Sequence, residues 1–229
     1  VALVGSGVLA IWNGIAEEAE ADFVDWHVNE HIPERVGVPG FLRGRRYVAL
    51  AGAPKYFNFY ETETPAVLGS RAYLDRLNAP SDWTRRVVRH FRETSRTVCL
   101  VAASLGSGDG GCVAAIRLTA VAGADIRPHD FRARVMDPLL RAPGIIAVHL
   151  LQGQLEIGAG QTAEKELRDR PDQTAAWILL IEAVERGALD RAVGAQASPE
   201  MLKDSAAHYG PEDFGVYQLQ YALDRSQLG

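Results

Sequence analysis

The strongest constraint on this chain is an order of strands and helices that runs through its 229 residues twice. In the first pass, the apolar run Gly7 to Ile15 reads as a strand, and the acidic residues Glu17 to Glu20 open a helix. Ala19, Phe23, Trp26 and Glu30 fall at helical spacing along it, with His27 and His31 beside them. A turn at Pro39-Gly40 leads into a strand over Phe41 to Leu50, and the turn residues Ala51 to Pro54 separate it from a third strand, Tyr56 to Thr62. The spacing predicts helices over Pro65 to Leu77 and Ser81 to Glu93, the second capped by Ser81 and carrying Trp83, Val87 and Phe91 as one apolar stripe. Thr97 to Ser104 is the fourth strand. After a glycine-rich stretch the order resumes, with a strand at Cys112 to Thr119 and a helix from about Pro128 to Arg141. Strands follow at Ile145 to Gln152, Ala176 to Ala183 and Gly215 to Leu223.

Gly7 recurs as Gly111 and Pro39-Gly40 as Pro143-Gly144, both at an offset of 104 residues. We read a divergent internal duplication of a β-α-β-β-α-β unit: residues 1–105, a glycine-rich linker at 106–111, and residues 112–229. The linker is a joint rather than a phosphate loop, because no lysine-threonine pair or helix start follows it. The connection Gly153 to Thr174 is longer and more charged than its counterpart in the first copy. Each copy is expected to form a four-stranded antiparallel sheet with helices on one face, the two sheets packing about a pseudo-two-fold axis.

An apolar content of 47% supplies a sizeable core, and a net charge of −5 argues against a dedicated nucleic-acid binder. Cys99 and Cys112 form no framework and have no metal-ligand spacing, so the expected setting is a reducing one, the cytoplasm. The first sixteen residues lack a basic leader, and no stretch is both long and apolar enough to span a membrane.

Polar chemistry concentrates between His27 and Tyr47, in HVNEHIPERVGVPGFLRGRRY. His27 and His31 share a helical face. Pro33 has no N–H for the carbonyl of Asn29, so the helix is expected to kink or end just after His31. Histidine titrates near neutrality, which makes His31 a candidate general acid/base and His27 a residue able to orient it. As a metal pair they lack a third ligand and the zincin glutamate, so no metal is expected. Glu30 and Glu34 suit surface salt bridges. Tyr47, Tyr60 and Trp83, with Trp26 on the first helix, are candidate pocket walls, and tyrosine hydroxyls can fix a polar substrate group. Arg43 and Arg45 share one strand face and Arg46 takes the other, so an inward arginine such as Arg43 can bind a carboxylate or phenolate. Arg85, Arg86, Arg89, Arg92 and Arg96 read as a solvated helical face.

A histidine late in the first helix, a proline-glycine turn eight residues on and an arginine-tyrosine strand resemble the EthD-like group of the dimeric α/β-barrel superfamily. The likeness is densest from Asp22 to Glu61. It implies an α+β chain of two tandem ferredoxin-like repeats forming a dimeric α/β barrel within one chain, with small-molecule chemistry between sheet and helices. The methylmuconolactone isomerases of that superfamily resemble it at His31, whereas the position matching their cysteine is Phe59. The resemblance implies a cofactor-independent isomerase, lyase or cyclase using His31, with His27 and Tyr47, on an aromatic, lactone or polyketide-like substrate. Haem binding through an axial histidine and a non-catalytic ligand-binding or accessory role are the alternatives, and a homodimer is the further assembly open to the chain. Counting back from Pro143 places Val135 where His31 stands, so one working site per chain is expected, with the second copy mainly scaffold.

Overall fold

A computed structural model describes residues 3–157, 159–168 and 171–228. The first half runs β1 (Gly7–Ile15), α1 (Glu20–Trp26), α2 (Ile32–Val36), β2 (Phe41–Gly52), β3 (Tyr56–Thr62), α3 (Arg71–Asn78), α4 (Asp82–Val88) and β4 (Phe91–Gly106). The second runs β5 (Cys112–Ala120), α5 (Pro128–Phe131), α6 (Asp137–Leu140), β6 (Ile145–Gly153), α7 (Ala163–Glu166), β7 (Trp177–Ala183), α8 (Arg186–Gln196), α9 (Pro199–Lys203), β8 (Ala207–His208) and β9 (Phe214–Asp224). Helix-facing strand positions alternate with inward ones, and the chain closes into an antiparallel barrel in the order β7-β6-β4-β1-β3-β2-β9-β5, with β5 returning to β7. Each half contributes four neighbouring strands. The seams pair β2 with β9 and β4 with β6, so the second strand of each half meets the last strand of the other. Closure satisfies every long strand edge inside one chain. The expected pair of sheets is therefore one continuous barrel, α+β in class, with helices outside.

The strand period decides what lies within. Val8, Ala10, Trp12, Tyr47, Phe57, Phe59, Cys99, Leu151, Leu180 and Tyr217 fill the barrel. The opposite faces bury Leu9, Tyr60 and Val98 under the helices of the first half, and Ala114, Ile116, Val148 and Leu179 under those of the second. The Pro-Gly turns match in conformation: Gly40 and Gly144 have φ of 87° and 83°, the left-handed region that glycine enters without strain.

Several local expectations are corrected. Pro33 does not end the first helix. His27–His31 forms a π turn in which the N–H of Ile32 bonds the carbonyl of His27, and the helix continues to Val36. The widened turn relieves the clash a proline ring makes with the carbonyl four residues earlier. Arg132–Met136 repeats the device, with Asp137 bonding Arg132 ahead of Pro138. Aligning the two prolines sets Met136, not Val135, against His31, because the stretch from π turn to Pro-Gly turn is one residue shorter in the second half. Both Val135 and Met136 lie in apolar core. Pro65–Gly69 is 3-10 helix, and α3 starts only after Ser70, whose Oγ accepts from the Tyr73 N–H. Ser81 caps α4 as expected, but α4 stops at Val88 and β4 begins at Phe91, because this segment pairs with β1 as Ile15 to Phe91 and Gly14 to Arg92. Glu93, at φ of 49°, takes up the register shift. Phe91, Arg92 and Arg96 thus belong to a strand, and Arg96 is buried rather than solvated.

One end of the barrel is plugged by charge. Arg43 pairs with Glu61 at 2.7 Å and Asp109 at 2.8 Å, while Arg45 reaches Glu61 and Glu182, both at 3.1 Å. The Gly110 N–H donates to Glu182 at 2.8 Å, so the glycine-rich linker is part of the plug as well as a joint. Glu61 pairs across from Val8 as Glu182 does from Val113, which makes the two carboxylates symmetry mates. Burial pushes the Glu182 carboxyl up, but His149, Arg45 and the Gly110 N–H more than offset it and bring it down to about 2. Arg45→Met would remove the cation shared by two buried carboxylates, leaving Glu61 to Arg43 and Glu182 to His149 and the Gly110 N–H, and is expected to cost about 3 kcal/mol in urea denaturation. A loss under about 1 kcal/mol would show that the plug does not hold the halves together.

Candidate functional site

The candidate site lies outside the barrel, between the first-half sheet and its helices. The π turn sets His27 and His31 on one face with their rings stacked, centroids 5.3 Å apart, and the Trp26 ring stands 4.2 Å from that of His31. Trp26 Nε1 is tied to Glu30 and Thr84, both at 3.2 Å, which holds the indole as a wall behind the imidazole. Tyr60 and Asn58 come from β3, whose even positions face the helices. A small cavity of about 30 Å³ lies among them, bordered also by Arg35, Tyr73, Arg96, Glu164 and Arg168.

Its lining is polar and incompletely paired. His27 Nδ1, His31 Nδ1, Asn58 Oδ1, Tyr60 Oη and Arg168 Nε are buried without a hydrogen-bond partner among the described residues, and all five residues border this one cavity. Buried polar atoms without partners are rare because each forfeits its hydration. Five around one space mark a place built for a polar occupant. A volume of about 30 Å³ admits a water molecule or the reacting group of a larger ligand.

The cover comes from the other half of the chain. After β6, residue Gln154 bonds Val98 of β4, and the connection then crosses the first-half helices, where the Ala163 N–H donates to Asn78 at 3.1 Å. Glu164 of α7 forms a buried ion pair with Arg35, and Arg168 pairs with Asp172. The chain returns beside β4, with the Arg96 N–H bonding Gln173 at 2.8 Å. Beyond this cover, a wider cleft of about 440 Å³ is lined by Thr97, Gln154, Gln161, Lys165 and Asp172, and shares Arg96 and Arg168 with the small cavity.

The residues singled out in the sequence divide between two faces. His27, His31, Trp26 and Tyr60 come together. Tyr47 and Arg43 point the other way, into the barrel, since their odd positions on β2 face inward beside Arg45. Trp83 lies on α4 with Nε1 bonded to Asp22 at 2.8 Å, away from the cavity lining. Arg35, Arg96, Tyr73, Glu164 and Arg168 were not singled out for the site. Arg35 continues the four-residue spacing of His27 and His31, a readable signal; the others arrive by tertiary packing. Glu34 makes the expected ion pairs, to Arg35 and Arg76, whereas Glu30 bonds Trp26 and Ser81. Among the described residues no cluster of three or more His, Cys, Asp or Glu side chains is arranged to hold a metal ion, and no helix is long and apolar enough to cross a membrane. Both cysteines are free and buried.

Burial holds His31 well below the usual histidine value, helped by the charges of Arg35, a protonated His27 and Arg168. His27 is lowered likewise by burial, then by Arg46 and Arg35. Both imidazoles are neutral in the folded chain at neutral pH. Unfolded histidine takes up its proton near pH 6.5, about its unperturbed value. Below that pH the unfolded chain binds protons the folded chain refuses, so stability is complete above about pH 6.5 and falls as pH drops toward the depressed folded values. The slope is up to about 1.4 kcal/mol per pH unit for each histidine. In urea titrations from about pH 7.5 to 5, the double variant H27N/H31N is expected to show a shallower decline than the parent; equal slopes would mean that the pair titrates as solvent-exposed histidines do.

The chain matches no protein-family model and no curated protein. Solved structures match over nearly its whole length at low identity. An anthrone oxidase-like protein aligns with a TM-score of 0.60 at 14% identity, covering 97% of this chain and 94% of its own. A candidate monooxygenase from Fusobacterium nucleatum aligns with a TM-score of 0.59 at 10% identity, covering 97% and 96%. A haem-binding protein from Thermus thermophilus aligns with a TM-score of 0.50 at 12% identity, covering 98% and 93%. At these identities the likeness is one of fold, and that fold is the dimeric α/β barrel, completed here by a single chain.

Proposed function

We propose that this chain is a small-molecule enzyme of the dimeric α/β-barrel type, in which His31 transfers a proton without an organic cofactor. The observation that carries this reading is the convergence of five unpartnered buried polar atoms, two of them imidazole nitrogens, on one covered cavity. The spacing from His31 to Pro39 supports the finer likeness to the EthD-like group, and the aromatic walls suit an aromatic, lactone or polyketide-like substrate. Isomerase, lyase or cyclase chemistry all begin with the same step.

In that step neutral His31 accepts a proton from an activated C–H or O–H of the substrate. Burial raises the Tyr60 phenol, so it stays protonated and can donate to the oxygen on which negative charge develops. Arg35 and Arg168 stabilise the same charge, and the anion formed beside His31 offsets the penalty of a buried imidazolium. The proton then returns from His31 to a second atom of the substrate. His27, stacked on His31 with no acidic partner, keeps its neighbour's ring in place. Tyr47 and Arg43 serve the barrel rather than this step. Closing the barrel requires no second copy of the chain, so a homodimer would add to a site that is already complete.

Haem does not fit these residues as arranged. His27 and His31 open only onto about 30 Å³, His149 is fully buried in the charged plug, half-buried His90 borders none of the described cavities, and His129 and His208 lie exposed on the surface. A purely ligand-binding role is separated from catalysis by the imidazole itself. Solvent deuterium incorporation into enolisable aromatic ketones and lactones, followed by proton NMR, is expected to fall by about 10²- to 10⁴-fold in H31N. The fold of H31N should stay intact. Met136→Ala, at the matching place in the second half, is expected to lose about 2–5 kcal/mol of stability with exchange unchanged. Full exchange in H31N would overturn the assignment.

A further inference from the structure

Resting on that reading of the site, the charges around it point to the kind of molecule it takes. Of the buried arginines, Arg46 donates to the Val24 carbonyl and does not border the cavity, while Arg45 is matched by Glu61 and Glu182, Arg43 by Glu61 and Asp109, and Arg35 by Glu34 and Glu164, as is the partly buried Arg168 by Asp172. Arg96 is not. It is 8% exposed, its side chain donates to the Tyr73 hydroxyl at 3.2 Å, and among the described residues no carboxylate touches it, Asp172 and Glu164 acting on it only through space. A buried guanidinium without an anion is costly, because its lost hydration is repaid only by an opposite charge. Arg96, with Arg168, also stands in the wall shared by the small cavity and the 440 Å³ cleft, a position from which it can serve an occupant of both. Lys165 is a further cation of the cleft lining, beside the carboxylates of Glu166 and Asp172; burial and Arg96 lower its ammonium, against the pull of Asp172.

We propose that the ligand is an organic monoanion, an aromatic or enolic carboxylate. Its charged group pairs with Arg96, its body lies in the 440 Å³ cleft, and its reacting group enters the small cavity at His31. The planar fork of arginine matches a carboxylate with two parallel hydrogen bonds. A monoanion suffices, because Arg35 and Arg168 already hold carboxylates and, among the described residues, Arg96 is the cation of the shared wall that touches none. A cleft of this size accommodates one or two fused rings.

The test is calorimetric titration with 1-hydroxy-2-naphthoate and its methyl ester at low salt. The acid is expected to bind the parent protein at least about tenfold more tightly than the ester, an advantage that added salt erodes. R96M should bring the acid to the affinity of the ester, and R96K, which keeps the charge but not the fork, should fall between. Equal binding of acid and ester by the parent, no binding of the acid, or an undiminished affinity in R96M would each overturn the proposal. The parent comparison stands even if R96M does not fold. Arg96-dependent binding together with full proton exchange in H31N would uphold the anion site and remove only the catalytic reading.

Discussion

The architecture depends on a sheet that neither half can close alone. Four strands leave two unpaired edges, and each half supplies the edge the other lacks: β2 meets β9 and β4 meets β6. Once these seams form, the barrel interior is sealed, and what fills it must be apolar or carry opposed charges. The chain does both. Aromatic rings occupy the middle, and at one end Arg43 and Arg45 of the first half are neutralised by Glu61, by Glu182 of the second, and by Asp109 of the linker.

The same seams place the candidate site. Because β6 lies beside β4, the chain leaving β6 emerges next to the first half, and the long connection to β7 passes over the first-half helices rather than its own. It brings Glu164 and Arg168 to the space beside His31, so the cavity is assembled from both copies. The reciprocal turn between β2 and β3 is short, and the π turn of the second half presents Val135 and Met136 to apolar core. Among the described residues, a symmetric fold therefore places a polar cavity of this kind in its first half, with apolar core at the matching place in the second. The asymmetry arises from one longer connection and from the side chains on one turn of helix.

The two π turns show how a backbone constraint becomes a chemical one. A proline two residues after the turn widens the helix in both halves, which rotates the preceding side chains relative to a regular helix. In the first half the side chains so presented are imidazoles, stacked and held neutral by burial. In the second they are packing residues. Geometry alone makes no site; it sets where polar groups will stand if the sequence provides them.

The sequence by itself determined the twice-run order of strands and helices, the α+β class, most of the long strands and the histidine pair, because these rest on periodicity and on turn residues that act locally. It also showed that Arg43 and Arg45 share a face, since side chains alternate along any strand. Tertiary structure alone decided which face is which: Tyr47 and Arg43 went inside the barrel with Arg45, while Tyr60 joined His31 under the helices. It decided that α4 stops at Val88, because pairing with β1 outweighed the helical stripe through Phe91 and turned Arg96 from a surface residue into a buried one. And it decided that Glu164 and Arg168 complete a cavity more than 100 residues away in sequence from His31. Local propensity reports the turn or strand a residue prefers. Which distant charges share a buried space follows from how the seams close, and no local pattern records that.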